Sequence, residues 1–272
     1  VNMVPVTLEV EDAYHFGSAD RLRARVTPRT KAILLCNPSN PTGTVYTQEE
    51  LEAVAEVAVE NDIFVICDEV YREFVFDGGP VRSFTQFRDL ADRIIVVDSV
   101  SKRFNACGVR IGCMATANRE VLEVALRFCQ SRLSVATAEQ LMVVPMLTGG
   151  REYSERLCVE YQTRRDAVHT GLERINGIHP HRSEGSFYTM TRLPIDSCET
   201  FAVWMLKDFE FDGETVCLAP GEGFYVTDGL GVDEVRIAFM YDAVTLRRAM
   251  AVMDAAVAAY PARRELAVGV SV

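Results

Sequence analysis

Lys102 closes the run Ser99-Val100-Ser101-Lys102, just beyond an apolar segment, where a primary amine can form a Schiff base with an aldehyde. Two more polar clusters have the same setting, Asn37-Pro38-Ser39-Asn40-Pro41-Thr42-Gly43 and Asp68-Glu69-Val70-Tyr71. Pyridoxal 5′-phosphate chemistry needs a lysine for the aldehyde and a carboxylate that keeps the pyridine nitrogen protonated. It also needs donors to the ring phenolate and a hydroxyl and a cation for the phosphate. Lys102, Asp68, Tyr71 with Asn40, and Ser99 with Arg110 can supply these in turn. Asp68 and Tyr71 share a face if they stand on a helical turn.

Each cluster follows a short apolar run: Ala32-Ile33-Leu34-Leu35-Cys36, Ile63-Phe64-Val65-Ile66-Cys67 and Ile94-Ile95-Val96-Val97-Asp98. Continuous rather than alternating apolar residues predict strands covered on both faces of a parallel sheet. Between the first two, Thr47 and Glu50 form a capping-box pattern for a helix to about Asn61. A shorter helical stretch is expected after Asp68, ending near the turn Asp77-Gly78-Gly79-Pro80. The alternation implies an α/β fold. Ligands of such sheets bind beyond the carboxyl ends of the strands, so the three clusters are expected to meet in one crevice.

Val1 to Leu8 reads as a strand already under way, so the sequence is expected to begin inside a longer protein. Asn118 to Arg132, Ala136 to Leu147 and Glu152 to Ile175 read as helices, the last long enough to bridge two lobes. From Gly177 the pattern changes to short segments at Ser186 to Arg192, Glu214 to Leu218 and Glu234 to Phe239. Helices are expected near Ser197 to Phe209 and Ala243 to Ala259. The expected organisation is a large cofactor-binding domain over 1–150, a connecting helix over 151–176 and a small α+β domain over 177–272.

The sequence resembles the class I/II, fold type I, aminotransferases, especially the aspartate aminotransferase-like members. The resemblance rests on Asn37 to Gly43, Asp68 to Tyr71, Ser99 to Phe104 running on to Gly108-Val109-Arg110-Ile111-Gly112, and Val235-Arg236-Ile237-Ala238-Phe239, in family order. It implies that Lys102 carries the cofactor as a Schiff base and then moves the substrate proton. It further implies that Asp68 pairs with the pyridinium, Asn40 and Tyr71 bond the phenolate oxygen, Ser99 and Arg110 hold the phosphate, and Arg236 binds the substrate α-carboxylate. The matching Asn40-Pro41 bond is cis in the family, and family active sites lie at a homodimer interface. Family members also carry a first small-domain segment, a phosphate-gripping glycine turn and a ring-stacking aromatic upstream of the position matching Val1.

Plainer readings compete at several positions. Ser99-x-x-Lys102 also fits the serine β-lactamase motif, but the companion Ser-Asp-Asn and Lys-Thr-Gly motifs are missing. Arg110 and Arg236 can be ordinary ion-pair arginines. Arg132 can accept the side-chain carboxylate of aspartate or glutamate, although a helix-end arginine is the stronger reading there. Gly185-Ser186-Phe187-Tyr188 fits cleft lining or core packing equally. His179 and His181 alternate without a third ligand nearby, so no metal site is expected.

The formal net charge of -11 argues against nucleic acid or an anionic membrane as partner. No apolar run reaches the ~18 residues of a membrane span. Eight cysteines without metal-like spacing read as reduced thiols of a cytoplasmic protein. The expected activity is transamination between an amino acid, with aspartate or glutamate as candidates, and a 2-oxo acid. The alternatives are an aminotransferase-like effector domain of a transcription regulator and a lyase of the same fold and cofactor.

Overall fold

The computed structural model describes residues 1–178 and 180–264. A short helix, α1 (Ala19–Arg23), precedes the first strand, β1 (Ala32–Cys36). Helix α2 (Gln48–Asn61) leads to β2 (Phe64–Asp68), and β3 (Ile94–Ser99) follows. These strands are parallel neighbours, and β4 (Gly112–Ala115) adds antiparallel to β3, in the order β1-β2-β3-β4. The register sets Cys36 beside Asp68 and Asp68 beside Val97, so the three chains leave the sheet at nearly one level.

Helix α2 forms where the sequence placed it. Thr47 accepts from the Glu50 amide at 3.2 Å and Glu50 accepts from the Thr47 amide at 2.9 Å, closing the capping box. Its buried Leu51, Val54 and Val57 join Val65, Cys67 and Val96 of the sheet in one core. Burying each of those three side chains contributes roughly 1.5–3 kcal/mol.

Three local expectations are corrected. Residues 1–8 form no strand, because among the described residues no neighbouring strand takes their backbone groups; Val6 and Leu8 pack against the core instead. After Asp68 the chain makes tight turns rather than a helix, with Arg72 N–H donating to Glu69 O and Phe74 N–H to Tyr71 O at 2.9 and 2.8 Å. The pull of the core on Phe74 and Phe76, and a bridge from Val75 to Gly185, extend the chain before a helix can propagate. The sheet is also less covered than its apolar runs imply: β1 contains no buried residue, and Leu34 is 68% exposed.

Helix α3 (Val100–Arg103) opens directly from β3. It is followed by α4 (Arg119–Ser131), α5 (Thr137–Gly149) and α6 (Arg151–Leu172). Helix α4 is amphipathic yet buries no residue, leaving Leu126 and Phe128 exposed, and α5 leaves Leu141 and Val144 exposed. The last part pairs β5 (Tyr188–Arg192) with β7 (Glu234–Ala238), which also pairs with β6 (Ala219–Pro220). Helices α7 (Cys198–Lys207) and α8 (Ala243–Ala259) pack on this sheet with α6 in a second core. The segment Glu214 to Leu218, expected as a strand, yields only a bridge between Phe211 and Glu214; pairing with β7 begins at Ala219.

Arg165 of α6 ties these parts together while only 1% exposed. It bonds both Asp77 oxygens at 2.9 Å and Asp166 at 2.7 Å, and donates to the Ser183 carbonyl at 2.6 Å. A second tie is titratable. His15 meets Glu184 at 3.4 Å and Glu50 at 2.7 Å, joining the segment before α1 to the start of α2 and to the approach to β5. Hydrogen bonds to Glu184 and to Glu50 push the His15 imidazole up to about 9. A folded-state value above the unfolded one of about 6.5 adds stability that is complete below that pH and disappears as pH rises through 9. Thermal unfolding followed from pH 6 to 10 is expected to show this loss, on the order of 2 kcal/mol, and His15→Gln to flatten that part of the profile. An unchanged slope in the variant would refute the assignment.

Candidate active site

The strand ends bring the polar clusters together as the topology requires. Asp68 is the last residue of β2; its Oδ1 accepts from the Val70 amide at 3.0 Å, and among the described residues its Oδ2 makes no hydrogen bond. Tyr71, 3% exposed, lies one turn further on. Burial, and next the Tyr188 hydroxyl, raise the Tyr71 phenol well above the ordinary range, so it remains a donor at neutral pH. Burial and the nearby Asp68 charge push the Cys36 thiol at the end of β1 up to about 12, making it an inert wall.

Lys102 lies in α3, one turn after Ser99 caps that helix. Its Nζ stands 5.7 Å from the Phe187 ring centroid and has no ion pair or hydrogen bond among the described residues. Phe187 meets Tyr71 edge to face at 5.0 Å, and the Tyr71 and Tyr188 hydroxyls are 3.5 Å apart. The Tyr188 ring lies 4.4 Å from the Arg236 guanidinium, whose Nη1 donates to Asn40 Oδ1 at 3.0 Å. A continuous chain of contacts therefore runs Lys102, Phe187, Tyr71, Tyr188, Arg236, Asn40. With Asp68 beside Cys36 in the sheet, five of the eight sequence-derived candidates share one region.

The remaining three stand apart in their contacts. Ser99 Oγ donates to the Ile111 carbonyl at 2.9 Å and shares a hydrogen bond of 2.8 Å with Ser101 Oγ, whose hydroxyl can donate to it. Arg110 is exposed, has a left-handed backbone (φ 58°) and donates to the Cys107 carbonyl at 3.0 Å. Among the described residues it bonds neither Ser99 nor Lys102. Arg132 is exposed at the C-terminus of α4, 3.9 Å from Cys129 Sγ within its own helix, and no contact joins it to the Lys102 region. Burial lowers the His181 imidazole to about 4, its ring lies against Tyr14, and among the described residues no group of three or more His, Cys, Asp or Glu side chains is placed to hold a metal ion. His179 lies outside the described residues.

The backbone around Asn40 is held from two sides. Asn40-Pro41 is cis, as the resemblance implies, and so is Asn37-Pro38. Gly43 (φ +79°) accepts the Glu184 and Gly185 amides at 2.9 and 2.8 Å. A Cβ there would lie 2.5 Å from the Tyr188 carbonyl oxygen, so only glycine allows this approach. Behind the site, Asp98 pairs with Arg72 at 3.3 Å and with Arg103. These arginines directly follow Tyr71 and Lys102, so one carboxylate anchors the turns that carry both candidates.

Sequence reading missed Asp98 and Phe224, and left Phe187 and Tyr188 undecided. Asp98 looked like the last residue of an apolar run, and no local pattern marked Phe224. Phe224 lies 4.7 Å from the Arg236 guanidinium.

The pattern of the family described as aminotransferase class I and II matches residues 1–252. An aspartate aminotransferase of Bacillus sp. (strain YM-2) is 29% identical over 231 residues, covering 81% of this chain and 57% of the relative. An asparagine–oxo-acid transaminase of Streptococcus mutans is 28% identical, covering 91% of this chain and 63% of the relative. The chain thus spans about three-fifths of the length of these curated relatives. The crystal structure of an aromatic aminotransferase from Pyrococcus horikoshii OT3 superposes with a TM-score of 0.84 at 28% identity, over 94% of this chain and 67% of that one. Sequence pattern, strand order and strand-end clusters agree: the chain belongs to the aminotransferase class I and II family, fold type I, whose members use pyridoxal phosphate.

Proposed function

We propose that this chain is the larger part of a pyridoxal phosphate-dependent transaminase that moves an amino group between an amino acid and a 2-oxo acid. The observation that carries the reading is the contact between Arg236 of β7 and Asn40 at the end of β1, which joins a carboxylate-binding cation to the Lys102 and Asp68 region. The residues fit the cofactor. Asp68 Oδ2 is free to accept from a ring N–H. Asn40 uses Oδ1 on Arg236 and keeps its amide Nδ2 for the ring oxygen, which Tyr71 can also reach as a phenol. Lys102 would attach the cofactor, while Ser99 and Arg110 would take its phosphate. When bound, the cofactor supplies an electrophilic carbon and an electron-withdrawing ring that acidifies the substrate Cα–H.

The side chains then have separate tasks. Among the described residues Arg236 Nε is buried without a partner, a donor available to the substrate α-carboxylate. Lys102, as a free amine, would take the proton from the substrate Cα and deliver it to the cofactor's reactive carbon. Phe187 flanks the amine, and Tyr71 packs edge to face on Phe187.

The relatives named above act on aspartate, asparagine or aromatic amino acids, so the donor is proposed only as an amino acid, with aspartate or glutamate as the variant that would use Arg132. The same reading includes three domains, with residues 1–150 binding the cofactor, 151–176 connecting and 177–272 forming the small domain. It also includes a homodimer, supported by the exposed apolar side chains of α4 and α5, and a cytoplasmic setting, supported by the free cysteines. No described helix is long and apolar enough to cross a membrane.

Adding pyridoxal phosphate to the purified full-length protein should produce a visible absorbance band that single amino acids bleach and 2-oxo acids restore. No band refutes the cofactor assignment. A band bleached by neutral amino acids but not by aspartate or glutamate removes the role of Arg132.

A further inference from the structure

We propose that Tyr188 is a positioning residue of the carboxylate site, its ring holding the Arg236 guanidinium in the orientation from which it reads the substrate. The inference rests on the proposed role of Arg236. An arginine side chain carries about 2 kcal/mol of rotamer entropy, and a site that must present a planar fork to a carboxylate has to restrain it. Asn40 takes one N–H at 3.0 Å, which fixes one corner of the guanidinium but leaves it free to swing about that contact. The Tyr188 ring, 4.4 Å from Arg236 Cζ, and the Phe224 ring at 4.7 Å supply the missing restraint.

Tyr188 is itself held from several directions. It pairs with Ala238 in the β5–β7 ladder, two residues along the strand from Arg236. Its carbonyl accepts from Ser183 Oγ at 2.8 Å and its amide donates to Ser186 Oγ at 3.3 Å. The ring stands edge to face with Tyr71 at 5.8 Å and 83°, and the two hydroxyls meet at 3.5 Å. Because Gly43 packs against the Tyr188 carbonyl, the loop carrying Asn40 and the strand carrying Tyr188 form one unit. Two of the three contacts to Arg236 therefore come from a single rigid block. Phe224, 38% exposed, is the looser third.

The test compares Tyr188→Leu and Tyr188→Phe in the full-length protein loaded with pyridoxal phosphate. It measures KM and kcat for the amino acid best used by the wild type, and the Kd of succinate, an unreactive dicarboxylate. Loss of a cation–π contact in Tyr188→Leu is expected to raise KM and the succinate Kd together by about 2- to 30-fold, with kcat changed by less than about threefold. Tyr188→Phe, which keeps the ring, is expected to restore both to within about twofold of wild type.

Unchanged KM and Kd in Tyr188→Leu overturn the inference. So does a loss confined to kcat and thermal stability that the Phe variant fails to restore, because that pattern is general packing. If the Leu variant does not fold, Tyr188→Met, unbranched and apolar, takes its place in the comparison, and the same two results overturn the inference. A wild type that neither gains the visible band nor transaminates brings down the proposed function itself, a result distinct from a working enzyme whose KM ignores Tyr188.

Discussion

Lys102→Ala is expected to abolish the cofactor-dependent visible band and lower transamination by about 10⁴-fold or more, while leaving the fold intact. Two roles disappear with one amine. Under the proposed function this amine both attaches the cofactor and takes the substrate Cα proton, and among the described residues no other lysine lies against the Phe187 ring. Stability should change by less than about 1 kcal/mol, since among the described residues Lys102 holds no ion pair or hydrogen bond that the structure needs. Lys102→Arg serves as a control: it keeps a cation beside Phe187 but no neutral amine, so it should fail equally. Absorbance, single-turnover rates and thermal unfolding measured together separate these effects. Wild-type turnover in Lys102→Ala would end the case for Lys102 and, with it, for the strand-end site.

The largest stability effect is expected away from the chemistry, at Arg165. Arg165→Ala should destabilise the protein by roughly 3–5 kcal/mol, measured as the denaturation midpoint in urea at constant m. The ion pairs are not the main reason, because Asp77 and Asp166 are 52% and 42% exposed and water can solvate both once the arginine is gone. The larger costs are internal. The Ser183 carbonyl loses its 2.6 Å donor in a buried setting, about 1–3 kcal/mol, and a cavity opens beside Phe76, whose ring lies 5.0 Å from the guanidinium. Asp77→Asn, which leaves Arg165 its contacts with Asp166 and Ser183, should cost clearly less. Equal losses in the two variants would mean that the exposed ion pair carries the effect.

The effect should also reach the site. Ser183 supports the Tyr188 carbonyl, and the amide of the adjacent Glu184 binds the Gly43 carbonyl. Loosening Ser183 therefore loosens the block that carries Asn40. A rise in KM in Arg165→Ala, which a smaller folded fraction alone does not produce, is the expected signature.

Legibility in the sequence followed the range of the interactions. Helix α2 was readable because the Thr47 and Glu50 capping box is local, decided within a few residues of chain. The strands β1, β2 and β3 were readable because each is a short continuous apolar run, and their ends were correct to within a residue, although β1 is less covered than such a run implies. The stretch after Asp68 was misread because a turn and a short helix share their local pattern. The choice between them lay with the core that draws in Phe74 and Phe76. Residues 1–8 were misread for a related reason, since a strand exists only with a partner and a sequence names none.

Within the site the same division holds. The sequence by itself determined the order of the polar clusters, the choice of Lys102, Asp68, Tyr71 and Asn40 as candidates, and their common placement beyond strand ends, because strand topology converts apolar runs into a shared edge. Only the tertiary structure decided that Arg236, far along the chain, reaches Asn40, that Tyr188 and Phe224 flank it, and that Asp98 anchors the turns of Tyr71 and Lys102. Those contacts cross long sequence separations, and no local spacing encodes which ring will meet which cation once two cores have packed.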